Sequence, residues 1–204
     1  MKAFLLSLIL TPLLLLIVFQ AVIFNLSFYD FYYQSAGLYQ NYSPSDLLSS
    51  VENVLLYITG QADLNTALYQ DQEILHLADI KKLILAIQIM TIGLAVVAFF
   101  LIIKSKSVNL LRVSQYALVE ILLAGILIYF LFEPIFLKFH ILVFPNDFWM
   151  LNPDVHLLIV LYPPEFFFRL LATTLSITLL IMLTSTIYLN WRTKRKKNVI
   201  IKSN

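Results

Sequence analysis

Four apolar stretches dominate the chain. They cover 3–26, 83–103, 116–136 and 166–189, and each is long enough to cross a hydrocarbon core of about 30 Å, which takes about 20 residues at about 1.5 Å apiece. In the first, Ser7, Thr11 and Gln20 are the only polar side chains before the last two residues, and Pro12 predicts a kink. That stretch exceeds the apolar core of a secretory signal, and no small-x-small cleavage site follows it, so it reads as an anchor that stays. A different periodicity appears between 44 and 60. Leu47, Leu48, Val51, Val54, Leu55 and Ile58 recur at helical spacing, with Ser45 or Asp46 as N-cap and Gly60 as the stop. The polar face of this amphipathic helix carries Asp46 and Glu52 and no lysine, which suits packing on the protein's own helix ends better than binding anionic lipid. Residues 71–81 read as a capped helical turn that runs straight into the second apolar stretch. The expectation is an all-α polytopic membrane protein of four transmembrane helices, forming one domain over 1–204.

Composition agrees and excludes a soluble domain. Of 204 residues, 60% are apolar and 13% charged, against about 45–50% and about 25% in an ordinary soluble domain. The formal charge of +2 hides an asymmetry. With four crossings, Lys2, the connector bearing Lys104, Lys106 and Arg112, and the tail 190–204 with Arg192, Lys194, Arg195, Lys196, Lys197 and Lys202 share one side, which the positive-inside rule makes cytoplasmic. Both termini are then inside. The other side receives Lys81, Lys82, Lys138 and Arg169 with every acidic residue except Glu120. Its loops, 27–80 and 137–165, are long and aromatic, so function is expected there. Tyr29, Tyr32, Tyr33, Tyr39, Tyr42, Trp149 and Tyr162 are expected as headgroup-level anchors. The basic tail reads as a topology determinant touching anionic lipid, and nothing points to nucleic acid.

The chemistry available is narrow. There is no cysteine, which removes disulfides, thiolate nucleophiles and Cys-bearing zinc sites, and no serine elbow, HExxH, P-loop or dinucleotide fingerprint occurs. No cofactor is implied. All three histidines, His76, His140 and His156, fall on the outer side. Glu73 and Asp79 stand three residues either side of His76 on one helical face, where a carboxylate would fix the imidazole's tautomer and orientation. His140 lies between Phe139 and the run 141–144, a polar ring in an apolar setting. A histidine pair working as general acid and base needs neither metal nor nucleophile. The plain alternative is interfacial histidines making incidental hydrogen bonds, and a zinc site lacks any short ligand spacing. Glu133 and Arg169, both near the outer face, are expected to pair across the third and fourth helices, while Glu120 is close enough to its helix start to reach cytoplasmic water.

Two motifs resemble a known family. Glu73-x-x-His76-Leu77-x-Asp79-Ile80-Lys81 precedes the second apolar stretch, and Phe139-His140-x-x-x-Phe144-x-x-Asp147-x-Trp149 is followed by Pro153 and by Leu158-Ile159 through Pro163-x-Glu165-Phe166-Phe167. This layout resembles the lipoprotein intramolecular transacylases of Gram-positive bacteria. The resemblance implies catalytic roles for His76 and His140, with Glu73, Asp79, Asp147 and Trp149 in support, and none for His156. Where the family pattern is expected to read Asp-Pro after the tryptophan and a further Asp, this chain has Asn152-Pro153 and His156. It implies transfer of the sn-2 acyl chain of a diacylglyceryl lipoprotein to the α-amino group of its N-terminal cysteine. Diacylglyceryl lipoproteins and membrane lipid are the implied partners. A catalytically silent four-helix scaffold and an outer-leaflet deacylase are the competing readings, which loss of activity on alanine substitution at His76 and His140, or free fatty acid among the products, would separate.

Overall fold

A computed structural model describes residues 2–104 and 109–203, and the side chains up to 195. Lys106 therefore lies outside the described residues, as do the side chains of Lys196, Lys197 and Lys202. The chain runs α1 (Lys2–Ile23), α2 (Leu26–Ser35), α3 (Pro44–Ile58), α4 (Asp71–Lys104), α5 (Leu110–Val143), α6 (Leu157–Leu161) and α7 (Pro164–Ser203), with single 3-10 turns at Leu38–Gln40 and Thr66–Leu68. No strand occurs among the described residues. Helices α1, α4, α5 and α7 are each long and apolar enough to cross a membrane.

The long helices overrun their apolar stretches at one end. Helix α4 begins at Asp71, ahead of the apolar stretch that opens at position 83, and α5 continues to Val143 past position 136. That overhang, with α2, α3, α6 and the connecting loops, forms a cap on the bundle. Helix α3 lays Leu47, Val51, Val54, Leu55 and Ile58 inward and packs mainly on α4 and α2. Its N-cap is Ser43, not Ser45 or Asp46, because Pro44 takes the first helical position, where its missing N–H costs nothing. It ends at Ile58, and Gly60 just past it, with a φ of +75°, lets Gln61 N–H reach the Leu56 carbonyl at 2.8 Å and Gly60 N–H the Tyr57 carbonyl at 3.0 Å.

Three expectations need correction. Helix α1 runs through Pro12 with no break in its helical assignment, and ends at Ile23, where Asn25 caps α2 by accepting the Ser27 N–H. The kink falls instead in α5 at Leu131 (φ −125°, ψ 19°), three residues before Pro134, whose ring cannot bond the Phe130 carbonyl and clashes with it. Tyr29, Tyr32 and Tyr33 are core residues, at most 2% exposed, not headgroup anchors. Tyr29 stacks on Phe166 at 5.1 Å and Tyr32 meets it edge-on at 5.3 Å, while Tyr33 packs on both tyrosines. The Tyr29 hydroxyl donates to the Ile23 carbonyl and that of Tyr33 to the Leu161 carbonyl, so the aromatic cluster ties α2 to the ends of α1 and α6.

Packing among the long helices is uneven. Helix α5 lies along α7 and α1, while α4 packs on α1 and α3. A seam therefore runs between α4 and α5, and the overhanging ends of these two helices carry the histidines.

Candidate active site

His76 occupies the second turn of α4 and His140 the last turn of α5, with ring centroids 6.5 Å apart and planes at 37°. Both lie beyond the apolar crossing stretches, His76 seven residues before 83 and His140 four after 136. Aromatic rings enclose them. Phe144 meets His76 edge-on at 4.9 Å, and Phe136, Phe139 and Trp149 surround His140 at 4.4, 5.3 and 5.1 Å. The rings open onto a cavity of about 790 Å³ whose walls are otherwise almost entirely apolar.

The two imidazoles are held differently. Nδ1 of His140 lies 2.7 Å from the Phe136 carbonyl oxygen. That oxygen can only accept, so Nδ1 carries the hydrogen and a neutral ring leaves its lone pair on Nε2. His76 is 6% exposed, and its Nδ1 is buried with no hydrogen-bond partner among the described residues. Burial holds the His76 pKa well below the usual histidine range, His140 pushes in the same direction, and Asp79 opposes. Burial also lowers the pKa of His140, against the bond to Phe136.

The segment after α5 brings Trp149 to the site and is tied to α4 by amides. Asn146 Nδ2 donates to Asp79 Oδ2 at 2.9 Å while its Oδ1 accepts the Phe148 N–H at 3.1 Å. Gln72 Nε2 donates to the Met150 carbonyl at 3.0 Å, with the carbonyls of Asp147 and Phe148 at 3.4 Å. Glu73, 1% exposed, joins α4 to α6. Its Oε2 accepts the Gln70 N–H at 2.8 Å, half of a capping box, and its Oε1 accepts the Leu158 N–H at 2.6 Å.

The sequence model of the lipoprotein intramolecular transacylase Lit family matches residues 4–167. The chain belongs to this family. Two solved structures of the membrane integral lipoprotein intramolecular transacylase Lit from Bacillus cereus share its fold. One is 21% identical with a TM-score of 0.75, covering 95% of this chain and 96% of that one. The other, of a variant with a histidine replaced by alanine, is 20% identical with a TM-score of 0.75, covering 96% and 94%. No curated protein matches the chain.

Within this Lit-family chain the residues singled out in the sequence separate into groups. His76, His140 and Trp149 come together at the cavity. Glu73 braces two helix starts rather than His76, since both its oxygens engage backbone N–H groups. Asp79 hydrogen-bonds Lys82 and Asn146 rather than His76, at 2.9 Å each. The Asp147 side chain is exposed, and only its carbonyl takes part, accepting the Met150 N–H at 3.0 Å. His156 precedes α6 and accepts the Asn152 N–H on Nδ1 at 2.8 Å. Arg169 pairs with Glu165 at 2.8 Å and not with Glu133, whose side chain faces outward. Glu120 does not reach for water. Its Oε1 meets Ser7 Oγ of α1 at 2.7 Å. Among the described residues no group of three His, Asp or Glu side chains converges as metal ligands.

Gln72 and Asn146 were missed because an amide has no charge or periodicity to mark it. The usable signal for Gln72 was its position four residues before His76 on a helix, and for Asn146 its place two residues past the end of the apolar run.

Proposed function

We propose that this chain is an intramolecular transacylase, moving the sn-2 acyl chain of a diacylglyceryl lipoprotein onto the α-amino group of the same lipidated N-terminal cysteine, with the histidine end of the bundle on the extracytoplasmic side. The family membership supports the reaction class. The observation that carries the residue roles is the pair of imidazoles, borne on different helices and held in different hydrogen-bonding states across one apolar cage.

His140, its Nδ1–H committed to Phe136, presents a basic Nε2. It takes the proton of the attacking amine, whose pKa of about 7.7–8.0 leaves a usable neutral fraction at pH 7. The amine nitrogen bonds to the ester carbonyl carbon, the carbon–oxygen bond to the glycerol breaks, and the glyceryl oxygen takes up a proton. That proton comes from His140, which regains its neutral form, while His76, kept neutral by burial with Nδ1 shut in, donates an Nε2–H hydrogen bond to the leaving oxygen. Nucleophile and ester sit in one molecule, so no covalent acyl-enzyme is needed, and holding the two ends together is worth up to about 7–11 kcal/mol. Water is the competing nucleophile. Walls of Phe136, Phe139, Phe144 and Trp149 keep it from the carbonyl.

The test is mass spectrometry of the N-terminal lipopeptide of a marker lipoprotein, made in a host lacking other N-acylation. Wild type yields an N-acyl lyso form with unchanged acyl content, and His76→Ala or His140→Ala, inserted at normal abundance, slows conversion about 10²–10⁴-fold. Persistence of the diacyl form beside abundant wild type overturns the reading in favour of a scaffold. Loss of one chain without N-acylation makes the protein a deacylase instead.

A further inference from the structure

The cavity is deeper than the chemistry requires. From the histidines it descends between α1, α4, α5 and α7, and its lining runs as far as Phe19 on α1, Ile87 on α4, Phe132 on α5 and Leu171 on α7. No residue of α1 before Phe19 and none of α4 after Ile87 lines it. A polar bridge adjoins this end. Gln20 Nε2 donates across to Thr91 Oγ1 at 3.0 Å, and Thr91 Oγ1 donates to the Ile87 carbonyl at 2.8 Å, so α1 and α4 are pinned together beside Phe19 and one turn beyond Ile87.

The shaft has a definite length. His76 and Ile87 are eleven residues apart on one helix, about 16 Å at about 1.5 Å per residue. An all-trans hydrocarbon advances about 1.2 Å per bond, as extended polypeptide does over its three bonds per residue, so about 13 chain carbons fit between the histidines and the floor. The ring of Phe19 and the side chains of Ile87 and Leu171 offer such a chain nothing to hydrogen-bond, and the shaft begins where the ester carbonyl must lie.

We infer that this shaft receives the acyl chain being transferred and that its floor at Phe19, Ile87 and Leu171 sets the chain length the protein accepts. This rests on the transacylase reading and adds to it a specificity determinant. The walls are shape-selective without polar discrimination, so a chain that reaches the floor fills the shaft, a shorter one leaves it partly empty, and a longer one must bend back toward the cage. Ile87→Trp raises the floor. Ile87→Ala lowers it toward the Gln20–Thr91 bridge.

The experiment supplies a mixture of diacylglyceryl lipopeptides with sn-2 chains of 10, 12, 14, 16 and 18 carbons to wild type and both variants in bilayer nanodiscs, and reads the product distribution by mass spectrometry. Because chain lengths compete within one sample, a general loss of activity or of folded protein cancels from the ratio. The expected result is a 16-to-10-carbon product ratio at least tenfold lower in Ile87→Trp and an 18-to-14-carbon ratio raised in Ile87→Ala. Ratios within twofold of wild type in both variants overturn the inference. Native mass spectrometry of ether-linked analogues of the same lengths ranks binding without turnover. A preserved, variant-sensitive ranking beside absent turnover overturns only the transacylase reading, whereas a flat ranking overturns the floor as the determinant.

Discussion

At the scale of single residues, the cage depends on a carboxylate that takes no part in the chemistry. Glu73 is buried and satisfies two backbone N–H groups, one at the start of its own helix and one in α6, 85 residues away in sequence. A charged acceptor contributes about 1.5–3 kcal/mol per hydrogen bond, and its loss strands buried donors. Glu73→Ala is therefore expected to lower the unfolding temperature of the detergent-solubilised protein by several degrees, with Glu73→Gln, which keeps one acceptor oxygen, falling between. Equal melting temperatures for wild type and Glu73→Ala would remove the brace from the account. The spacing that marked Glu73 and Asp79 as partners of His76 was sound as helix geometry, since residues three apart do share a face. It could not show that backbone donors from α6 and an amide from the segment after α5 would claim those carboxylates first.

Elements tell the same story at larger scale. Helix α3 was legible because its apolar positions repeat, and the extension of α4 back to Asp71 because acidic residues mark its first turn. The buried tyrosines were not. Along a sequence an interfacial tyrosine and a core tyrosine look alike, and only the placement of Phe166 among them shows that Tyr29, Tyr32 and Tyr33 glue the cap together. The α5 kink was missed for a related reason, because Pro12 and Pro134 are equivalent in sequence and differ in what surrounds them. The segment from Phe144 to Leu151 has no regular hydrogen bonding, so Asn146 and Gln72 fix where Trp149 stands. Asn146→Ala and Gln72→Ala are each expected to lower kcat/KM about tenfold, the cost of losing about one hydrogen bond's positioning. Trp149 emission, read in a Trp191→Phe background, is expected to shift to the red as the ring gains solvent. Unchanged emission together with unchanged kinetics would show that the segment holds itself.

For the whole molecule, four apolar helices were readable from the run of apolar positions alone, because lipid leaves the backbone few solutions. Their arrangement was not, since apolar surface facing lipid and apolar surface facing another helix are written with the same residues. Sidedness follows from charge rather than from packing. With Lys2, Arg192, Lys194 and Arg195 at one end of the bundle and Lys81, Lys82, Lys138 and Arg169 at the other, reporter fusions are expected to be active as cytoplasmic reporters after position 204 and as exported ones within 59–65. The opposite pattern would put the cage in the cytoplasm, where a lipoprotein N-terminus is not displayed.

The two histidines ride on helices that scarcely touch each other. The prongs of α4 and α5 are joined near their tips by the Asp79–Asn146 and Gln72–Met150 hydrogen bonds and by the His76–Phe144 ring contact, while Glu73 ties α4 to α6. Parting the Asp79–Asn146 bond, whose acceptor is a carboxylate, costs about 1.5–3 kcal/mol and the Gln72–Met150 bond about 0.5–1.5 kcal/mol, below the cost of prising apart two interdigitated helices. On the transacylase reading, a bulky two-tailed lipid is expected to enter sideways between the prongs, an opening that breaks these links and the ring contact while leaving the α5–α7 packing intact. Such an opening would work as a clothes-peg does, with the polar links at the tips as its spring and the rings, 6.5 Å apart, as its jaws.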